Sequence, residues 1–296
     1  MPLPLIKRIR YRLEWALAVV GFAFFRLLPI GTASDIGGFI ARKLGPHVKV
    51  SLRARENLIH AFPDWSNKQL DNTIEGIWDN LGRYVAEFPH VADMDEKTFR
   101  SHVEITGLEH LKAMQNHPGG TLLFAAHMGN WEFGLKVPQM QGFPFAIVYR
   151  PLNNPYMEKL VNSYRDRYCR GGIPKNFGGG REIIRRLKNG EPVAVLIDQR
   201  MATGIPLSFF GRTAMTSTSV ADLALKYGYP VFPCRFERIG RQAKFRITYY
   251  PPLVVTSTGD HTEDSRRIMQ TTHDMLTEWI REKPEQWFWV HKRWAL

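Results

Sequence analysis

The sequence predicts an α/β protein with a central, mostly parallel sheet that is flanked by helices. Two observations predict it. From about residue 103 onward, short apolar runs alternate with amphipathic segments of helical length. Before that point the pattern is helical and contains no strand-like run. Strands that alternate with helices are typical of α/β architecture, so we assign residues 101–296 to one α/β domain.

The N-terminus is predicted to be a hydrophobic helix associated with a membrane. Its basic cluster contains Lys7, Arg8, Arg10 and Arg12. The apolar stretch 13–30 follows, but its uninterrupted part, 15–25, is short for a span unless Arg26 snorkels. Three alternatives remain: a marginal transmembrane anchor, a helix lying in the interface, or a core helix. The pattern favours membrane attachment, and residues 1–33 are assigned as an anchoring helix.

Residues 34–100 are predicted to form a helical N-terminal part. Its two helices are expected at 34–60 and 66–90, and Ser66 is a candidate N-cap for the second. Beyond it, strands are predicted at 121–126, 144–149, 192–197, 230–236 and 243–250. The intervening helices are predicted at 131–141, 155–169, 180–188, 216–227 and 262–282.

The composition indicates an anionic partner. The chain has 296 residues, with 40 Lys and Arg against 28 Asp and Glu, a net charge of +12. A phospholipid surface, a phosphorylated or acidic substrate and a nucleic acid all fit this excess. The two cysteines, Cys169 and Cys234, lack metal-ligand spacing and are predicted to be free thiols.

His127 and Glu132 form the most suggestive chemical pattern in the chain. Residues five apart in a continuous helix point in different directions, so the two meet only if His127 ends a strand and Glu132 starts a helix. Gly129 permits a tight turn between them, and Asn130 is a good N-cap. A neutral imidazole at this point can take a proton from a hydroxyl while a carboxylate fixes its tautomer.

Two other interpretations of the pair stay open at this stage. By residue type alone, one His and one Glu at this spacing are more often structural than catalytic. A metal site is also conceivable, although no second His lies at helical spacing and we expect no metal. If the pair is catalytic, the nucleophile comes from the substrate, since no G-x-S-x-G elbow is present. Backbone N–H groups at 129–131 or Arg150 are then the candidate oxyanion donors.

Five blocks in register resemble the lipid A biosynthesis lauroyl/myristoyl acyltransferase family, within the lysophospholipid acyltransferase-like superfamily. The first block is AAHMGNWEFG, which is similar to the family's H-x4-D/E motif. The others are VYRPLNNP (148–155), LIDQR (196–200) with FFGR (209–212), PVFPCRFER (230–238) and the C-terminal PEQWFWVHKRW (284–294).

The resemblance implies transfer of a fatty acyl chain from acyl carrier protein to a hydroxyl of a lipid A precursor. It places the protein on the phospholipid surface of the bacterial inner membrane, with its active site on the cytoplasmic side and no cofactor. It further implies that His127 is the general base and that Glu132 orients it. The substrate-binding positions that it implies are Asn130, Arg150, Asp198, Arg200, Phe209, Phe210 and Gly211, the last three shaping a substrate or acyl channel.

Three rival functions remain open. The first keeps the chemistry but uses a lysophospholipid or a phosphoinositol-mannoside as acceptor. The second is a basic non-enzymatic module that binds membrane or nucleic acid, although no nucleic-acid-binding motif is present and we expect no nucleic-acid partner. The third is a metallohydrolase. The tail aromatics Trp287, Phe288, Trp289 and Trp294 are either core residues or interfacial anchors.

Overall fold

The computed structural model describes residues 4–175 and 178–294. Residues 1–3, 176–177 and 295–296, which belong to the predicted anchor and α/β domain, lie outside the described residues. The helices are α1 (Leu5–Arg26), α2 (Ile30–Leu44), α3 (Val50–Ala61), α4 (Asn67–Val91), α5 (Glu96–His102), α6 (Leu108–Gln115), α7 (Trp131–Met140), α8 (Pro155–Arg165), α9 (Gly179–Lys188), α10 (Ser219–Tyr227) and α11 (His261–Glu282). Short 3-10 turns lie at Gly45–His47 and Pro284–Gln286. The strands are β1 (Val103–Thr106), β2 (Thr121–Ala125), β3 (Ala146–Tyr149), β4 (Gly172–Pro174), β5 (Pro192–Leu196), β6 (Ile205–Phe209), β7 (Arg212–Thr216), β8 (Val231–Arg238) and β9 (Phe245–Tyr249).

Seven strands form the central sheet in the order β1-β9-β8-β2-β5-β3-β4, and β6 pairs with β7 in a separate hairpin. Strand β2 lies parallel to both of its neighbours, β5 and β8. The β8–β9 pair is the antiparallel step within the sheet. The predicted fold, an α/β protein with a mostly parallel central sheet flanked by helices, is confirmed.

Both faces of the sheet are buried, as expected for a largely parallel sheet. Along β2, Leu122 and Phe124 point into one hydrophobic core, which also receives α10, α11 and the C-terminal tryptophans. Leu123 and Ala125 point into a second core, which is covered by α7. Strand β2 is therefore the middle strand of the seven and has one core on each of its faces.

The five strands and five helices predicted between residues 121 and 282 are present, but the predicted continuous helix 34–60 is wrong. This stretch divides into α2 and α3 around the 3-10 turn that contains Pro46. Proline has no backbone N–H, so it cannot donate the hydrogen bond that would continue an α-helix. The predicted cap of α4 is confirmed, since Ser66 forms a reciprocal capping box with Gln69. The short strands β1 and β4 and the β6–β7 hairpin were not predicted.

Helix α1 presents an apolar surface to solvent. Its outward residues include Leu5, Ile6, Ile9, Leu13, Leu17, Val20 and Phe24. It is attached to the α/β part in its first half, where Asn154 donates a 2.9 Å hydrogen bond to the carbonyl of Tyr11. Within residues 4–175 and 178–294, no helix combines the length and the apolar character needed to cross a bilayer.

Candidate active site

The predicted strand–His–turn–helix arrangement is present at the carboxyl end of β2. Strand β2 ends at Ala125, and α7 begins six residues later at Trp131. Gly129 has a φ of +59°, and a Cβ added there would lie 2.9 Å from the carbonyl oxygen of Phe236. Asn130 caps α7 by accepting a 3.2 Å hydrogen bond from the N–H of Glu132. The turn therefore needs both its glycine and its asparagine.

The carboxylate beside His127 is Asp198. Nδ1 of His127 donates to Oδ1 of Asp198 at 2.8 Å, and the backbone N–H of His127 donates to Oδ2 at 2.9 Å. The pair forms because β2 and β5 are parallel neighbours, with Ala125 opposite Leu196. Two residues beyond each strand end, His127 and Asp198 therefore project at the same edge of the sheet.

Asp198 is ionised and fixes the tautomer of His127. Burial alone would raise the pKa of this fully buried carboxyl, but the charge and hydrogen bond of His127 and the nearby His291 hold it well below its usual range. An ionised carboxylate only accepts hydrogen bonds, so the proton of the neutral imidazole sits on Nδ1. Nε2 of His127 is then left with a lone pair, as a general base requires.

The predicted pairing of Glu132 with His127 is wrong. Glu132 is fully buried, and Tyr84 donates to its Oε1 at 2.9 Å and Tyr168 to its Oε2 at 2.7 Å. The guanidinium of Arg165 spans both oxygens. The Glu132 side chain is thus bound by Tyr84 of α4, Arg165 of α8 and Tyr168, and it makes no hydrogen bond to His127.

This second carboxylate is also ionised. Burial raises the pKa of Glu132, but the Arg165 charge and the hydrogen bonds from Arg165, Tyr168 and Tyr84 outweigh it and leave the pKa below its ordinary value. The Glu132–Arg165 pair joins α7 to α8. Its geometry indicates a structural support for the site.

His127 lies on the wall of a cavity of about 920 Å³, and its side chain keeps 19% of its exposure. The floor of this cavity is apolar and is formed by Leu123, Leu135, Ile147, Ala194 and Phe236. Exposed cations line its rim, and these are Arg150, Lys175, Arg200 and Lys292. The lining of this cavity is chemically suited to an apolar chain and an anionic group.

The other predicted positions divide into two groups. Arg150 and Arg200 line the cavity as expected. Asn130 does not face it: the residue is buried, and its amide donates to Glu87 at 2.7 Å. Glu87 in turn binds the buried guanidinium of Arg238. The expectation that Asn130 contacts substrate is therefore wrong, because both ends of its side chain are occupied within the protein.

Phe209, Phe210 and Gly211 do not form a channel. They lie at the turn of the β6–β7 hairpin and are absent from the cavity wall among the described residues. Phe209 and Phe210 are buried against Trp289 and Trp294. Phe209 and Phe210 are therefore core residues.

Several residues around His127 were not predicted as site residues. Trp287 is buried and donates its indole N–H to Asp198 at 2.7 Å. Lys175, Phe288 and Lys292 line the cavity. Trp287, Phe288 and Lys292 belong to the C-terminal motif PEQWFWVHKRW, which could have indicated that they lie at the site. A motif does not show, however, which strand end its segment contacts in the folded chain.

The described residues contain no group of three or more His, Cys, Asp and Glu side chains that could hold a metal ion. The metallohydrolase alternative therefore lacks a ligand set in this part of the chain. The His127–Asp198 pair can instead withdraw a proton from a hydroxyl group bound in the cavity.

Known proteins that are similar to this chain are acyltransferases. Residues 4–295 match the family described as bacterial lipid A biosynthesis acyltransferase. The chain is 23% identical over 279 residues to the lipid A biosynthesis acyltransferase of Haemophilus influenzae, covering 93% of this chain and 83% of that protein. It is 25% identical over 286 residues to the phosphatidylinositol mannoside acyltransferase of Mycolicibacterium smegmatis, covering 93% and 89%. It is 24% identical over 251 residues to the lipid A biosynthesis lauroyltransferase of Escherichia coli, covering 82% and 79%.

Proposed function

Since the chain belongs to the family of bacterial lipid A biosynthesis acyltransferases and is therefore an acyltransferase, we propose that it transfers a fatty acyl chain from an acyl carrier protein thioester to a hydroxyl of a lipid A precursor. The observation that carries this proposal is the His127–Asp198 pair on the wall of a deep, apolar-floored cavity. The cavity offers a base for the acceptor and a place for the chain.

The reaction proceeds by direct attack. Nε2 of His127 takes the proton of the acceptor hydroxyl, and the oxygen attacks the thioester carbonyl carbon. The ionised Asp198 stabilises the imidazolium that results. The tetrahedral intermediate then collapses, the C–S bond breaks, and the imidazolium returns its proton to the sulfur, leaving an ester and a free thiol.

The developing oxyanion needs donors, and the structure narrows the candidates. The N–H of Gly129 is already used, since it donates to the carbonyl of Gln286 at 3.0 Å. Trp131 begins α7, and N–H groups in the first turn of a helix have no intrahelical acceptor. Arg150, on the cavity rim, is the side-chain candidate. Loss of one such donor typically costs about 3–4 kcal/mol of barrier.

The acyl chain is proposed to lie on the apolar floor. Leu123, Ile147, Ala194 and Phe236 come from four adjacent strands of the sheet, and Leu135 of α7 faces them. A chain lying across these strands, under α7, has its carbonyl end near His127. Burial of each methylene contributes about 0.8 kcal/mol to binding, which favours a long chain.

The rim is proposed to bind phosphate groups. Arg150, Arg200 and Lys292 form no ion pair with a carboxylate among the described residues, so their charges are available to a ligand. Lys175 lies on the same rim and also interacts with the charge of Asp198. The phosphopantetheine arm of an acyl carrier protein and a phosphorylated lipid A precursor both bring phosphates to this position. The net charge of +12 favours the same anionic partners.

Helix α1 is proposed to lie in the interface of the inner membrane on its cytoplasmic side. Its exposed apolar face and its basic N-terminal residues are the combination that binds an anionic phospholipid surface. The helix is fixed beside the cavity, because Asn154, which holds Tyr11, follows directly on the cavity-lining Leu152 and Asn153. A lipid acceptor in the membrane would therefore reach the rim over a short distance.

A second acceptor is supported by one observation. The relative named a phosphatidylinositol mannoside acyltransferase covers as much of this chain as the first lipid A relative does. A phosphoinositol-mannoside also carries a phosphate and several hydroxyls, so the rim does not discriminate against it. The chemistry at His127 would be the same.

The test is an acyl transfer assay with the detergent-solubilised full chain. Acyl carrier protein thioesters of several lengths are supplied with a tetra-acylated lipid A precursor or a phosphatidylinositol mannoside, and mass spectrometry follows the added acyl mass. We expect transfer to the lipid A precursor that disappears in His127→Ala and persists in the matched control His117→Ala. Transfer only to the mannoside would replace the proposed acceptor. Transfer that survives in His127→Ala would refute the mechanism.

A further inference from the structure

The C-terminal segment crosses the catalytic turn. Met128 and Trp287 form an isolated antiparallel bridge. On one side of it the N–H of Phe288 donates to the carbonyl of His127 at 3.1 Å, and on the other the N–H of Gly129 donates to the carbonyl of Gln286 at 3.0 Å. The backbone of the turn is therefore held by residues more than 150 positions later in the chain.

Trp287 completes the hydrogen bonds of the Asp198 carboxylate. Its indole Nε1 donates to Oδ2 at 2.7 Å, the oxygen that also accepts from the backbone N–H of His127. Oδ1 remains for Nδ1 of His127. With two donors on Oδ2 and one on Oδ1, the carboxylate group cannot rotate without breaking a hydrogen bond. Trp287 is 1% exposed and Asp198 is 0% exposed, so bulk solvent does not reach the hydrogen bond between them.

Trp287 is itself held in place. The side chain of the preceding Gln286 accepts from the backbone N–H of Arg238 at 2.7 Å and donates to its carbonyl at 2.8 Å. The Trp287 ring packs edge-on against Phe209 and Trp289. The indole N–H thus has little freedom to leave Asp198.

We propose that Trp287 is a positioning residue of the acyl transfer, which rests on the function proposed above. It fixes the Asp198 carboxylate, and through Asp198 it fixes the imidazole of His127 with Nε2 toward the substrate. The hydrogen bond from the indole N–H also stabilises the negative charge on Asp198 and lowers the basicity of its carboxylate. Without it, Asp198 attracts the proton on the imidazole more strongly and favours the imidazolium.

Four other described titratable groups lie near Asp198, but none of them donates a hydrogen bond to its carboxylate. They interact with Asp198 through their charge, and they are Lys175 after β4, His273 on α11, and His291 and Arg293 in the C-terminal segment. His273 instead shares hydrogen bonds with Thr216 and Met269. His291 pairs with the carbonyl of Phe288.

The test removes the indole N–H and keeps a smaller aromatic ring at the same position. Trp287→Phe is compared with Trp289→Phe, a matched control in the same aromatic cluster whose indole donates to the carbonyl of Pro284 at 2.7 Å. We expect kcat to fall roughly 10-fold to 100-fold in Trp287→Phe only, with KM for the acyl donor unchanged. Equal losses in both variants would show that Trp287 acts only through packing and would overturn the proposal.

A second measurement does not need acyl transfer. Diethylpyrocarbonate modifies neutral imidazoles, and peptide mass spectrometry reports the modification of His127 at each pH. We expect its pH midpoint to move upward in Trp287→Phe and to stay in place in Trp289→Phe. The same midpoint in both variants would refute the claim that the Trp287 N–H weakens the attraction of Asp198 for the imidazole proton. This result does not depend on which substrates the enzyme uses.

If Trp287→Phe does not fold, benzothienylalanine at position 287 replaces the N–H by sulfur and keeps the shape and apolar area of indole. The expected fall in kcat and upward midpoint are the same. Wild-type values in this folded protein would overturn the proposal.

Discussion

Replacement of Asp198 by Asn is expected to remove most of the activity by forcing His127 into the wrong tautomer. The carboxylate receives two donors on Oδ2 and one on Oδ1. An amide has a single carbonyl oxygen. If that oxygen faces Trp287 and the backbone N–H, the amide NH₂ faces Nδ1 of His127. Nδ1 must then accept, and the imidazole proton moves to Nε2, the atom that has to act as base.

The opposite orientation of the amide is unfavourable. It would point the NH₂ group at two buried N–H donors and leave both without acceptors, at about 1–3 kcal/mol for each. The first orientation should therefore dominate. The same substitution in a Ser-His-Asp triad lowers kcat about 10⁴-fold. For Asp198→Asn we expect a loss of that order, which corresponds to about 5 kcal/mol of transition-state stabilisation.

The assay measures kcat at saturating thioester together with the thermal unfolding midpoint, and Glu132→Gln is the comparison. Glu132→Gln removes the negative charge that pairs with the largely buried Arg165. We therefore expect this variant mainly to lower the free energy of unfolding, by up to about 3–5 kcal/mol. A folded Asp198→Asn protein within 10-fold of wild-type kcat would refute the tautomer argument. If Glu132→Gln kept its stability and lost 10⁴-fold in kcat, Glu132 would be the partner after all.

Three further predictions concern the acyl chain, pH and the membrane. Ala194→Leu fills part of the cavity floor, so the preferred thioester should become shorter in a chain-length competition followed by mass spectrometry; an unchanged preference would place the chain elsewhere. Burial and the charge of Arg293 lower the pKa of His273 to about 4, so its contribution to stability is complete above about pH 6.5 and is lost below it. The free energy of unfolding should fall by about 3 kcal/mol more between pH 7 and pH 4 in the wild type than in a folded His273→Gln protein, as measured by urea denaturation; equal falls would contradict this. Leu17 is 74% exposed on α1, and Leu17→Glu should weaken binding to anionic vesicles roughly 10-fold to 100-fold, whereas Val254→Glu at a loop residue that is 85% exposed should not; equal binding by both variants would exclude α1 as the contact.

The local pattern of the sequence determined a large part of this protein. The alternation of apolar runs and amphipathic segments predicted five strands and the helices between them. The order His127, Gly129, Asn130 predicted a strand end, a tight turn and a capped helix, because each step depends on neighbours in the chain. The family resemblance read from the motifs is confirmed by the match over residues 4–295. The same motifs predicted Arg150 and Arg200 as substrate-binding positions, and both line the cavity; binding itself stays a prediction.

Only the tertiary structure decided which carboxylate meets His127. Glu132 is close in sequence, but the first turn of α7 directs its side chain to Arg165 on α8. Asp198 is 71 positions away, and it arrives at the imidazole because β5 is the strand that pairs with β2. That pairing is set by the order of strands in the sheet, which short-range periodicity does not encode. Trp287 reaches the same carboxylate for the same reason: the packing of whole elements, and not the spacing of residues, brings distant strand and chain ends together.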